Sequence, residues 1–289
     1  MAIKINWQDL LKRFINWQEI VRVYKNGGQI RPETVPPVWW DYLCFTAQES
    51  NSSVTLNKEW NPTVVSLEIS YDKSTWMDYN IWGTIALSNV GDKVYMRNKS
   101  EIPTGFSNNS YSYFYFSMTW KIWASWDIDY LLCKYSTNTL SETCFAWLFS
   151  ECTALVSAPS LPATTLASRC YQWMFSKSSI TLPPSLPATT LSHDCYEYMF
   201  NKCEDLIALP SLPATELPSY CYFGMFSWCT KIKIYWTQTW DHQTPYRIPT
   251  SWTGTLWENA TGDMFYNTWW QSIRTPSINH TYYTSNQVI

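Results

Sequence analysis

The sequence predicts an α+β chain of several domains, in which a β-rich region precedes a solenoid of short strand-and-helix repeats. One phrase returns along the chain, as SLPATTLASRCYQWMF, SLPATTLSHDCYEYMF and SLPATELPSYCYFGMF. Before these repeats, apolar and polar residues alternate over short stretches, which is typical of β-strands. Repetition at a fixed period is typical of units that bury their apolar sides only by stacking.

Length and charge exclude several classes of protein. The 289 residues leave room for two or three domains, and the net charge of −3 favours neither nucleic acid nor an anionic membrane as a partner. No apolar run approaches the roughly 18 residues that cross a bilayer. The first twenty residues lack the apolar core of a signal peptide, so we expect no export by that route and no membrane partner.

Residues 1–38 are expected to form a docking segment. The stretch QEIVRVYKNGGQIRP places alternating apolar residues around an Asn–Gly pair, which predicts a β-hairpin. The stretch PETVPPV then provides a stiff spacer. A lone hairpin is marginally stable, so it docks onto another protein or adds an edge to the next domain. The docking side chains would be Val21, Val23, Tyr24 and Ile30.

Residues 39–130 are predicted to form an immunoglobulin-like β-sandwich. Apolar and polar residues alternate in SSVTLNKEW and VVSLEISYD, and GTIALSNVGDKVYMRN contains two strands around a turn. Short strands at about ten-residue spacing are typical of sandwiches. Such a domain would also cover the open first face of a solenoid.

Residues 131–236 are predicted to form a solenoid of about four units, and residues 237–289 would cap its far end. In the second unit, Tyr171, Met174 and Phe175 fall at i, i+3 and i+4, which is typical of one helical face. The preceding SLPATTL contains a proline and should be extended. Two columns repeat at spacings of 26, 25 and 26 residues: Phe149, Phe175, Phe200 and Phe226, and Cys144, Cys170, Cys195 and Cys221.

The nine cysteines are interpreted as reduced, buried, structural side chains. Two cysteines of one unit lie eight residues apart, about 12 Å on a helix, whereas a disulfide needs Cα atoms within about 7 Å. Ser178 stands in the column that Cys152, Cys203 and Cys229 occupy, so the thiol is not chemically required there. No tight cysteine pair indicates zinc. We therefore expect no metal and no cofactor.

Catalytic motifs are missing from the sequence. The three histidines are His193, His242 and His280, and two of them adjoin aspartates, but sequence neighbours seldom serve as a base and its orienting group. No nucleophile elbow, HExxH, phosphate-binding loop or dinucleotide fingerprint occurs. Nothing selects a carboxylate pair for glycoside hydrolysis. We predict that the protein is not an enzyme and has no catalytic residues.

Several tryptophans stand where a turn favours glycine. The sequence has 8 glycines and 19 tryptophans, whereas a glycine usage of about 7% would give roughly 20 glycines. One hypothesis is that some of these codons are reassigned, and the other is that genuine tryptophans form contacts within an assembly. A tryptophan forced to positive φ would be strained. The positions are Trp7, Trp17, Trp60, Trp120, Trp126 and Trp228.

Aromatic residues also recur at equivalent places in the repeats. The column Tyr171, Tyr196 and Tyr222 is expected either to lie in the core or to join an exposed ladder. The more variable neighbouring positions should face outward, where aromatic side chains dominate contact energies. The candidate binding residues are Trp173, Tyr198 and Phe223.

The repeated unit resembles the BspA-type leucine-rich repeat. The unit LPATTLASRCYQWMF, continued by a cysteine and a leucine as in CTALVSAP, has the order of features of that family. The resemblance covers about residues 131–236 and implies a (β/α) fold rather than a function. The first unit, CKYSTNTLSETCFAWLF, departs from it because the LPA segment is missing.

A wider resemblance covers nearly the whole chain. INWQEIVRVYKNGGQIRP, LCFTAQESNSSVTL and LEISYDKSTWMDY, followed by the repeats, are similar to accessory virion proteins of gut tailed bacteriophages, including crAss-like phages. This implies a non-enzymatic fibre, tail or capsid decoration that assembles in the virion with other virion proteins and as a homo-oligomer. The alternative is an adhesin that binds a host-surface glycan or protein through its repeats.

Overall fold

The computed structural model describes residues 24–25, 28–29, 42–60, 65–101, 106, 112–134, 140–268 and 273–289. Its internal contacts divide the chain into two units, Met1–Trp40 and Asp41–Ile289. In the first unit, strand β1 (Tyr24–Lys25) pairs antiparallel with β2 (Gly28–Gln29).

The prediction of an α+β chain with a helical leucine-rich-repeat solenoid is wrong. The described residues contain no α-helix, and their helical element is a single 3-10 turn at Ile128–Leu131. The remaining elements are strands in several small sheets, together with long runs of turns. The described part of the chain is therefore nearly all β.

A six-stranded sheet and a three-stranded sheet occupy the region before the repeats. The larger sheet has the order β11-β10-β3-β8-β5-β6, and the smaller one has the order β7-β4-β9. The strands of the larger sheet are β3 (Leu43–Ala47), β5 (Leu67–Ser70), β6 (Met77–Tyr79), β8 (Lys93–Asn98), β10 (Ile122–Ser125) and β11 (Leu155–Ser157). Those of the smaller sheet are β4 (Ser52–Lys58), β7 (Thr84–Leu87) and β9 (Phe114–Thr119).

Side chains of both sheets meet in one core. Alternate residues of β4 and β8 are buried, as the period of two in a strand requires. The ring centroids of Phe45 on β3 and Phe116 on β9 lie 4.9 Å apart, which joins the two sheets. Strand β11 belongs to the repeats and pairs in parallel with β10, so the sheet continues directly into them.

The segments expected to be helices are chains of turns. Within the first, Ala146 N–H donates to the Thr143 carbonyl and Ser150 N–H to the Trp147 carbonyl, both three residues back. The intervening N–H groups donate to the next segment, for example Phe145 to the Cys170 carbonyl at 2.9 Å. A fifth chain of turns, which the sequence did not predict, lies in the C-terminal region. We call all five the turn segments: residues 143–152, 169–178, 194–203, 220–229 and 259–268.

The backbone conformation explains why no helix forms. In each turn segment, the first, fifth and ninth residues have positive φ, as at Thr143, Trp147 and Glu151 with 56°, 65° and 62°. A left-handed residue at every fourth position interrupts a right-handed helix. A period of four still places i and i+4 on one side. The apolar pattern of Tyr171 and Phe175 therefore matched a helix without one being present.

The turn segments stack in register through columns of buried rings. Six phenylalanines form one column, with neighbouring centroids 5.2–5.8 Å apart. A second column contains Phe145, Tyr171, Tyr196 and Tyr222 at 5.8–6.0 Å, so the tyrosine column lies in the core. The first column begins on strand β9 and consists of Phe116, Phe149, Phe175, Phe200, Phe226 and Phe265.

The C-terminal region adds the fifth turn segment and three small sheets. Ala260 and Phe265 take the places of Cys221 and Phe226, and Phe226 N–H donates to the Met264 carbonyl at 2.9 Å. In these sheets β12 (Ala208–Leu209) pairs with β17 (Gln287–Val288), β13 (Glu216–Leu217) with β15 (Thr255–Leu256), and β14 (Thr244–Arg247) with β16 (Thr281–Thr284).

All nine cysteines lie among the described residues, and all are free and buried. Three thiols donate to a backbone carbonyl of an earlier layer: Cys152 to Phe116 at 2.8 Å, Cys203 to Phe175 at 3.0 Å and Cys229 to Phe200 at 2.9 Å. Ser178 occupies the same position in its segment, and its hydroxyl lies 3.5 Å from the Cys203 sulfur.

Candidate binding surface

The predicted binding residues come together in one aromatic ladder. Trp147 and Trp173 stack with centroids 4.9 Å apart and planes 4° from parallel, and Trp173 stacks on Tyr198 at 4.2 Å. Phe223 meets Tyr198 edge-on at 5.4 Å, and Tyr113 begins the ladder by stacking on Trp147. All of these rings are partly exposed.

The ladder presents ring edges rather than ring faces. Trp173 has a parallel ring on each side, so both of its faces are in contact with protein. A sugar ring binds an aromatic side chain by stacking on a free face. We therefore expect Trp173 to hold the register of the turn segments, with its edge contributing to any protein contact.

A shallow polar groove lies beside the ladder. The Arg169 guanidinium donates to Asp194 at 3.0 Å and lies 3.8 Å from the Glu142 carboxylate. The side-chain amide of Gln172 donates to Glu197, and its oxygen Oε1 is buried without a hydrogen-bond partner. The groove is lined by Arg169, Gln172, His193, Asp194, Glu197, Ser219 and Tyr220.

Glu197 is the acidic residue of this groove whose pKa is shifted. Partial burial raises its pKa, the Gln172 amide opposes the rise, and Asp194 adds to it through charge repulsion. Protonation of Glu197 therefore becomes easier than for an exposed glutamate. The groove contains both signs of charge and suits a polar partner surface.

Opposite charges also link successive repeats elsewhere on the surface. Lys177 lies 2.5 Å from Glu151, and Lys231 lies 2.7 Å from Asp205. Each pair, like Arg169 and Asp194, joins residues 25 or 26 positions apart. The groove was not predicted from the sequence, although opposite charges at the repeat spacing are visible there.

Two highly exposed indoles lie in the C-terminal region. Trp240 and Trp252 are 86% and 76% exposed. The Arg247 guanidinium lies 4.4 Å from the Trp252 ring centroid and donates to Thr281 at 3.1 Å. Unlike Trp173, Trp252 has a face that no other ring covers among the described residues. Trp252 was not among the binding residues predicted from the sequence.

The docking residues are described only in part. Tyr24 belongs to strand β1, whereas Val21, Val23 and Ile30 lie outside the described residues. Trp7 and Trp17 also lie outside them.

One histidine does contact its neighbouring aspartate. The Nδ1 atom of His242 lies 2.5 Å from Asp241 Oδ1 and 2.7 Å from the Thr239 hydroxyl. A catalytic base needs its orienting carboxylate and its nucleophile on different ring nitrogens. Both contacts use the same nitrogen, so this arrangement does not form a triad.

Comparisons with protein-family models, curated proteins and solved structures found no match to this chain. Among the described residues, no helix is long and apolar enough to pass through a membrane. His, Cys, Asp and Glu side chains in those same ranges form no group of three that could hold a metal ion.

Proposed function

We propose that the protein is a non-enzymatic structural component of a phage particle, as the resemblance to accessory virion proteins implies. The observation that carries the proposal is the surface of the stacked turn segments. Backbone hydrogen bonds join each turn segment to the next, from β9 to residue 268, so the surface is rigid. A pre-ordered surface loses little conformational entropy on binding, which favours assembly contacts.

Side chains along this surface differ from one segment to the next. Arg169, Asp194 and Tyr220 occupy one backbone position in three successive turn segments. A positive, a negative and an aromatic side chain therefore follow one another along the surface at a regular spacing. We propose that other virion proteins, or further copies of this chain, bind along it.

The N-terminal unit supplies the second part of the proposal. Met1–Trp40 forms a contact unit separate from Asp41–Ile289. A separate unit suits a docking segment that binds another protein while the remainder faces outward. We propose this role for the hairpin of β1 and β2.

Purified particles test the proposal. The chain should appear in particles at a fixed ratio to the major capsid protein, and immunogold labelling should locate it on fibre, tail or capsid. Removal of residues 1–38 should abolish incorporation while circular dichroism shows the remainder folded. Abundance in lysate with absence from particles contradicts the proposal, and normal incorporation of the truncated chain contradicts the docking role.

A glycan-binding adhesin is the second candidate, and Trp252 favours it. Its exposed indole face beside the Arg247 guanidinium combines a stacking platform with a hydrogen-bond donor. The full chain should give saturable binding on a glycan array, and Trp252→Ala should remove it while Trp173→Ala should not. A blank array leaves assembly as the function and contradicts the adhesin.

A further inference from the structure

Five tryptophans of the described residues combine positive φ with high exposure. Their φ values are 55°, 74°, 59°, 72° and 65°, and their exposed fractions are 76%, 55%, 61%, 42% and 42%. We call them the turn tryptophans: Trp60, Trp82, Trp120, Trp126 and Trp228. Two more, Trp147 and Trp173, have positive φ but stack within the ladder.

Positive φ is unfavourable for a bulky side chain. The Cβ of an L-residue crowds the following carbonyl oxygen in this region, and glycine alone avoids the clash. Asparagine and aspartate tolerate the conformation better than other residues, and for bulky residues it is a true outlier. Tryptophan gains nothing from the backbone at these positions.

Packing does not offset this strain. A large aromatic side chain can offset an unfavourable backbone conformation only by burying apolar surface. Three of these indoles are more than half exposed. Trp120 lies in the two-residue connection between β9 and β10, which belong to different sheets, and glycine adopts its φ of 59° without strain. The backbone conformation at this position therefore favours glycine, although the residue in the sequence is tryptophan.

Outside the turn segments, positive φ falls mainly on tryptophan. Outside the turn segments, seven described non-glycine residues have positive φ, and four of them are tryptophan. The other three are Asn51, Lys73 and Asn279, two of which are the residue type that tolerates this region. Random placement of tryptophans would not concentrate them on left-handed turns.

Other tryptophans behave as the residue normally does. Trp76 has no positive φ, packs edge-on against Tyr42 at 4.8 Å and lies 3.8 Å from the Arg97 guanidinium carbon. Trp123 lies in strand β10 without positive φ. The chain thus contains two classes of tryptophan, which differ in backbone conformation.

We infer that the turn tryptophans are glycines in the protein as its source cell makes it. A codon written here as tryptophan is read there by a glycine-carrying tRNA, whereas Trp76 comes from an ordinary tryptophan codon. Five such positions would change the counts from 8 to 13 glycines and from 19 to 14 tryptophans, which moves glycine toward the roughly 20 that ordinary usage gives. The inference is independent of the proposed function.

The gene and the natural protein provide the first test. The five turn tryptophans should share one codon that differs from the codon at Trp76. Peptide mass spectrometry of protein purified from the source cells should identify glycine at all five positions and tryptophan at 76. Tryptophan at the five positions overturns the inference, whatever the codons are.

Recombinant variants provide a second test that needs no source cells. Starting from the sequence as written, Trp120→Gly and Trp60→Gly should each raise the melting temperature, on the order of 2–4 °C per position. Trp123→Gly is the matched control, because it removes a half-exposed indole without positive φ and should lower the melting temperature. Equal losses at all three positions would contradict the inference.

Discussion

Asp129 is a buried carboxyl whose two oxygens have no hydrogen-bond partner. Burial, with a smaller contribution from the charge of Asp127, raises its pKa to about 8. An unpaired buried charge is costly, so the folded protein holds this group protonated at neutral pH. In the unfolded chain the same group has a pKa of about 3.9.

Because the folded pKa lies above the unfolded one, protonation of Asp129 favours folding. Its contribution to stability is complete below about pH 4 and is lost as the pH rises to about 8. Asp129→Asn removes this dependence. The variant should gain stability relative to wild type by up to about 1.4 kcal/mol per pH unit across that window.

Chemical denaturation of both proteins at several pH values measures this gain. Glu216→Gln is the control, because it removes a carboxyl that is exposed in strand β13. A stability difference between wild type and Asp129→Asn that stays constant from pH 4 to 8 would show that the carboxyl is not held protonated.

Burial also raises the pKa of several thiols. Desolvation raises the pKa of Cys195 and of Cys203 to about 12, and that of Cys170 well above its ordinary value. The thiolate is the reactive form of cysteine, so these side chains are unreactive while the protein is folded.

Alkylation tests this prediction. Iodoacetamide at pH 8 should modify the native protein slowly, at the rate of unfolding, and should modify all nine cysteines in denaturant. Intact mass spectrometry counts the modified groups over time. Rapid modification of any of the core thiols in the native protein contradicts their burial.

At the scale of the element, each turn segment depends on its left-handed residues. Gly224 has φ of 58°, and a Cβ at this position would lie 2.5 Å from Cδ1 of Tyr198. Because glycine has no side chain, position 224 leaves room for the Tyr198 ring of the preceding segment. Tyr198 and Gly224 occupy the same backbone position in neighbouring segments, and the Tyr198 ring lies where a side chain at position 224 would be.

Substitution of Gly224 by alanine combines two costs. We expect a loss of roughly 2–4 kcal/mol, from backbone strain and from overpacking against Tyr198. Gly91→Ala isolates the first cost, because Gly91 has φ of 88° and a Cβ there would meet nothing within 4 Å. It should lose roughly 1–2 kcal/mol. Equal losses in urea denaturation would show that the Tyr198 contact is unimportant.

At the scale of the whole molecule, the sheets provide the first layer of the stack. Phe116 N–H on β9 donates to the Leu148 carbonyl at 2.8 Å, and its ring stacks on Phe149 at 5.2 Å. Ile122 N–H on β10 donates to the Ala154 carbonyl at 2.9 Å. The first turn segment thus depends on these strands for its hydrogen bonds.

Truncation tests this dependence. A chain of residues 41–289 should fold and unfold in one cooperative transition, because it is a single contact unit. A chain of residues 140–289 should not fold, since it exposes Phe149 and the unpaired carbonyls of the first segment. Thermal melts by circular dichroism compare the two. A cooperative transition in the shorter chain would contradict the dependence on the sheets.

Part of the fold and of the surface was predictable from particular residues. The spacing of Phe149, Phe175, Phe200 and Phe226 identified the stacked column, and Trp173, Tyr198 and Phe223 do meet in one ladder. The fifth turn segment was missed because an insertion separates Phe226 from Phe265 by 39 residues and Ala260 replaces the cysteine. The Met264–Phe265 pair was the signal that remained.

The sequence by itself determined the repeat period, the phenylalanine column and the burial of the thiols, because each follows from residue type at a constant spacing. Only the tertiary structure decided between helix and turns. Both place residues i and i+4 on one side, so the local pattern at Tyr171 and Phe175 is the same. The choice depends on whether alternate N–H groups find their acceptors within the segment or on a neighbour 25 or 26 residues away, and that neighbour exists only in the folded stack.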